Sequence, residues 1–139
     1  MDWFLAPLHM IRDIRSLGGG IRIWGAALNL PQIIGGLLFI FTIEGRVVLF
    51  TCLLTLIIAG QIHRRTPFSR LTGICHLPWL VMVPWLLGRM QAVDHGLIMT
   101  LWLDYVLVTI LISLVFDAWD LWRYSRGDRA FAWASNINE

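Results

Sequence analysis

Four apolar stretches, at about 21–43, 46–63, 71–88 and 97–119, occupy most of this 139-residue chain and leave only short polar joints between them. Each approaches the ~20 residues that a helix needs to cross ~30 Å of hydrocarbon. A closed barrel is the other way to span a bilayer, but its strands alternate apolar and polar residues, and these runs do not. The expected fold is therefore all-α: a polytopic integral membrane protein built as a four-transmembrane-helix bundle. Composition agrees, with 58% hydrophobic and 14% charged residues. A soluble domain carries about 45–50% and about 25%. A soluble globular enzyme, a disordered chain and a free nucleic-acid binder are all excluded on these numbers.

The arginines test the number of spans independently. All eleven basic residues are Arg. Arg12, Arg15 and Arg22 precede or open the first run, and only Arg46 follows it. Arg64, Arg65 and Arg70 join the second run to the third, Arg89 alone joins the third to the fourth, and Arg123, Arg126 and Arg129 follow the fourth. The alternation is what the positive-inside rule requires of four spans with both termini cytoplasmic. Three or five spans would break it. The expected location is a bacterial inner (plasma) membrane.

The N-terminal residues 1–20 read as an interfacial amphipathic helix ending in a glycine hinge. Phe4, Pro7, Leu8, Ile11, Ile14 and Leu17 recur at helical spacing with Met10 beside them, while Asp2, His9, Arg12, Asp13 and Ser16 fall on the wet side. Gly18-Gly19-Gly20 is expected to form a flexible elbow. No signal peptide is evident, because five charged or imidazole residues interrupt this segment. The bundle proper is expected over 21–122, and 123–139 is expected to be a cytoplasmic tail. Trp3, Trp24, Trp119, Trp122 and Trp133 would line one boundary, with Trp85 and Trp102 near the other, as an aromatic belt. Trp79, deeper in the third run, fits an anchoring role least. Cys52 and Cys75 lie inside apolar runs and read as small buried hydrophobes.

Polar residues in hydrocarbon are costly, so their positions show where helices face each other or water. Gly25, Asn29, Gln32 and Gly36 share one face of the first run. That face reads as a packing seam bridged by the two amides, with a polar-ligand face as the alternative. Pro31 frees the carbonyl of Ala27. On the second run Thr51, Thr55, Ala59 and His63 form a small face whose hydroxyls can bond the preceding turn. Pro78 and Pro84 mark two irregular points on the third run. On the fourth, Tyr105, Thr109, Ser113 and Asp117 recur every fourth residue, and Asp120 continues that side. Asp104 lies about 100° away, beside Val108, Leu111 and Val115. A bare carboxylate there costs about 2.5–3.5 kcal/mol, so a partner, a proton or water is expected, and Arg89 is the obvious partner.

A second polar group gathers at the cytoplasmic end. His63, His76 and Asp117 are weak candidates for a metal site, and the two histidines for a haem clamp. A solvated charge network, including an Asp120–Arg123 pair at i,i+3, is the plainer reading. No glycine-rich phosphate loop, GxSxG elbow, HExxH helix or lipid-headgroup signature of the DGxxAR kind is present.

Three functions compete. The first is a non-enzymatic protein acting by helix–helix association in the lipid bilayer, either with itself or as an accessory subunit of a larger membrane complex, with no nucleic acid and no cofactor expected. The second is a small proton-coupled transporter or cation channel using Asp104 and the Tyr105/Thr109/Ser113/Asp117 stripe. The third is a redox subunit holding haem, metal or quinone near His63, His76 and Asp117.

Overall fold

The computed structural model describes residues 5–15 and 19–129, with the side chains of Ile14 and Arg15 left aside. The chain is all-helical, with no strand among the described residues. A short α1 (Ala6–Arg15) precedes α2 (Gly19–Leu38) and α3 (Ile43–Arg65). A 3-10 turn (Arg70–His76) then leads into α4 (Leu77–Ala92), and α5 (Gly96–Ser125) ends the bundle. Four segments are long and apolar enough to cross a membrane: α2, α3, the turn together with α4, and α5.

The helix ends follow local chemistry more closely than hydropathy does. The first span stops at Leu38 rather than 43, because Thr42 turns extended and caps α3, its Oγ1 accepting from Gly45 N at 3.0 Å. The third span opens as a 3-10 turn whose start Ser69 caps. Pro78 therefore stands in the first turn of α4, where a missing N–H costs nothing. Only Pro84 lies inside that helix. The last span runs on to Ser125 instead of 119. Gly19 and Gly20, expected in the elbow, are the first residues of α2. Gly18, the first residue of the expected elbow, lies outside the described residues.

Pro31 shows how the bundle handles a broken helical ladder. The carbonyl it frees on Ala27 accepts a hydrogen bond from the Tyr105 hydroxyl of α5 at 2.8 Å. The Trp102 indole N–H donates to the carbonyl of Pro31 itself at 2.9 Å. Neighbouring helices commonly repair proline breaks at membrane depth in this way. Trp102 can come so close because residue 35 is glycine: a Cβ there would lie 2.0 Å from the indole nitrogen. Gly36 does the same for α3, since its Cβ would meet that of Leu49 at 2.7 Å. Around this contact the core fills with Leu28, Val48, Trp79, Leu86, Leu103 and Ile110.

The first helix packs on α3 beside its apolar stripe. Ala6 and Met10 are buried, and Pro7 backbone presses on Gly60, where a Cβ would meet it at 2.6 Å. Leu8 and Ile11, on the greasy side of the expected interfacial helix, are 59% and 39% exposed. Asp13, expected on the wet side, reaches across to His63. Phe4, Leu17, Trp3 and Trp133 lie outside the described residues.

Candidate functional sites

The two ends of the bundle are each closed by charge. At the end carrying the α2–α3 and α4–α5 joints, Glu44 is buried and sits 2.7 Å from Arg89. His95 Nε2 lies 3.2 Å from the same carboxylate oxygen, off the line of a good hydrogen bond. Arg89 therefore belongs to Glu44, not to Asp104. A signal existed in the sequence, since the joints between 43 and 46 and between 89 and 95 each place ionisable residues at one depth.

At the basic end, the buried Arg70 binds both Asp120 and Asp128. Arg123 pairs with Asp128 at 2.5 Å, not with Asp120. The backbone of Arg70 donates to the carbonyl of Arg129, so this cluster holds the end of α5 against the 3-10 turn. The buried guanidinium makes the network a structural clamp, while Asp128 and Arg123 at its rim stay partly exposed.

Between this clamp and the core lies a cavity of about 380 Å³, bordered by α1, α2, α3, the 3-10 turn and α5. His63, His76, Asp117 and Asp120 all line it, so the histidines and carboxylates expected at one depth do share one space. They do not converge as ligands. His63 Nε2 is 3.1 Å from Asp13 Oδ2 and meets Phe68 edge-on. His76 Nδ1 is 2.6 Å from Asp117 Oδ2, and its ring stacks on Trp79 with centroids 4.0 Å apart. Among the described residues no three His, Cys, Asp or Glu side chains gather as a metal site would require. Each imidazole already holds a carboxylate where a haem clamp would need two rings facing one iron. The stacking also explains Trp79, which is fully buried in the core and has no place in a belt. Trp119 and Trp122 are 56% and 49% exposed at that end, as anchors would be.

The polar stripe of α5 divides in two. Tyr105 is tied to Ala27, and the buried Thr109 hydroxyl donates to the carbonyls of Tyr105 and Val106 at 2.9 and 3.1 Å. Ser113 and Asp117 face the cavity. The upper half is thus a seam against α2, and the lower half is cavity wall. On α2 the seam is also partly self-contained. Asn29 and Gln32 bond the carbonyls of Gly25 and Leu28 on their own helix. Asn29 meets α3 through Cys52 Sγ at 3.8 Å. Gly36 packs tightly, whereas nothing stands within 4 Å of a Cβ at Gly25. Cys52 and Cys75 are buried and free. Thr55 bonds the preceding turn, as small-face hydroxyls do.

Asp104 is on none of these surfaces. It is exposed on the outer face of α5, in a row with Leu97, Leu101, Val108, Leu111 and Val115, each at least 46% exposed. No described residue pairs with it. By helical rise it stands about 14 Å from His95 and about 20 Å from Asp117. That is close to the middle of the distance separating the two charged ends.

No family model, curated protein or solved structure matches this chain. Fold and sites together define a class: a small all-helical protein with four helices able to cross a membrane, clamped by charge at both ends.

Proposed function

We propose that the protein acts by helix–helix association within the bilayer, through the outer face of α5 and with a second copy of itself. The exposed, unpaired Asp104 carries this reading. In lipid, a carboxyl group at that depth costs about 2.5–3.5 kcal/mol even on the lenient insertion scale. A partner helix removes that cost by hydrogen bonding. Positions 97, 101, 104, 108, 111 and 115 are spaced 4-3-4-3-4, the seam by which one helix meets a like helix, with a polar residue at one position setting the register. Two copies inserted in the same orientation bring Asp104 opposite its counterpart. The alternation of arginines supports a bacterial inner membrane with both chain ends cytoplasmic.

Single cysteines placed along this seam in a chain lacking Cys52 and Cys75 test the proposal. In native membranes, oxidative crosslinks to dimer should peak at 101, 108 and 115 and vanish when Asp104→Leu is added. Adducts larger than a dimer would transfer the seam to a different subunit. Absence of any periodic crosslink would overturn the association reading. The stripe through Tyr105 and Thr109 supports a conduction path less well, because its hydroxyls are already bonded to helix carbonyls.

A further inference from the structure

The histidine-lined cavity does not stop at the bundle interior. A second hollow of about 620 Å³ runs between α1, α2 and α3 and shares Met10, Ile21, Asn29 and Leu56 with the first. Its walls carry Ile23 and Leu30, which are 72% and 52% exposed, so it opens on the flank of the bundle. The combined space has a polar end beneath His76 and an apolar arm leading outward along α2. Its dimensions fall in the range of small-molecule sites, which are mostly apolar with a few placed polar groups.

The chemistry of the polar end selects the ligand. At the end beneath His76 no Arg or Lys lines the wall, while Asp117 and Asp120 do, and the one lining Arg, Arg22, stands in the outer arm. An anionic head would face two carboxylates and find no cation free to receive it, since Arg70 is held by Asp120 and Asp128. Both carboxylates are already engaged, Asp117 by His76 and Asp120 by Arg70, so a cationic head would have to displace a partner. An uncharged head meets neither obstacle. An ionised carboxylate only accepts hydrogen bonds, so the proton of a neutral His76 resides on Nδ1, directed at Asp117. Nε2 is then an acceptor, on a ring held in place by stacking on Trp79. An acceptor of this kind takes a hydroxyl.

We infer that the cavity binds a single-tailed, uncharged amphiphile whose hydroxyl head donates to His76 Nε2 and whose tail lies in the arm along α2. A monoacylglycerol and a quinol share this chemistry.

The full chain, in phosphatidylcholine nanodiscs with its four histidines labelled with nitrogen-15, can be titrated with monoolein and separately with decylubiquinol. A saturable shift of one imidazole Nε2 resonance is expected with at least one of them, and the tighter of the two names the source. The resonance is assigned by its loss in His76→Phe, which should weaken binding at least tenfold. His76→Phe also leaves Asp117 unpaired and can weaken the fold. Leu56→Trp, which plugs the junction of the two hollows, is the second variant. It should abolish the shift while the protein melts like the parent. Asp104→Asn should leave the shift unchanged, which separates this site from the association seam. The inference is overturned if neither probe gives a saturable shift, if oleate or dodecylamine gives the same shift, or if Leu56→Trp binds like the parent.

Discussion

Glu44 is the residue on which one end of the bundle depends. It is 3% exposed, whereas its partner Arg89 keeps a third of its side chain in contact with the surroundings. That asymmetry sets the direction of the mutational effects. Arg89→Met strands a buried carboxylate with only His95 beside it, and breaking a buried pair from one side costs about 3–5 kcal/mol. Glu44→Gln should cost less, because the Arg89 head can turn outward on its long stem. The double change should recover much of the loss, and thermal melting of the solubilised protein would show it. Equal melting of both single variants would contradict the asymmetry. Tyr105→Phe is a gentler test at the same scale. It removes the donor to the Ala27 carbonyl that Pro31 leaves open, so about 0.6 kcal/mol, and at most about 1.7 kcal/mol, should be lost, as for other hydrogen bonds between membrane helices.

At the scale of elements, glycine decides how near α2 comes to its neighbours. Nothing surrounds Gly25, whereas a Cβ on Gly35 would lie inside the Trp102 ring. Gly25→Ala should therefore be neutral or slightly stabilising, since alanine favours helix by about 1 kcal/mol. Gly35→Ala must push α5 away and should cost about 1–3 kcal/mol, as overpacked cores do. It should also expose the Trp102 indole, so a shift of tryptophan emission is expected with Gly35→Ala and not with Gly25→Ala. Of the Gly25/Asn29/Gln32/Gly36 face read from the sequence, Gly36 makes a close contact with α3, while the two amides bond their own helix and Gly25 stands open. Gly35, one residue off that face, was not legible in the sequence, because its importance comes from a tryptophan 67 positions later.

For the whole molecule, the split of nine arginines to two predicts the topology. Reporter fusions at residue 139 and within 89–96 should give opposite sides of the membrane, and agreement between them would refute four spans. The same split is consistent with the clamp, since Arg70 at the basic end is tied to Asp120 and Asp128 from α5 and the segment beyond it. Asp120→Asn and Asp128→Asn together should loosen the end of α5, with faster proteolysis after Tyr124 as the readout.

The four apolar runs, their number and their helical character were determined by sequence alone, because each run is long enough for a helix that bonds its backbone within its own segment and does not alternate as a barrel strand would. The Ala27 carbonyl was also foreseeable as an open acceptor, since proline always frees one. Which donor fills it was not. Pairing depends on rotations of whole helices that a one-dimensional pattern does not encode. Arg89 could have met either Asp104 or Glu44, and Asp13 could have faced water or His63. Only the packed bundle chose, by bringing small residues such as Gly60 and Gly35 to the contacts and turning Asp104 outward. The cavity beneath His76 is decided in the same way: its residues come from five separate elements, and their distances exist only once those elements are packed.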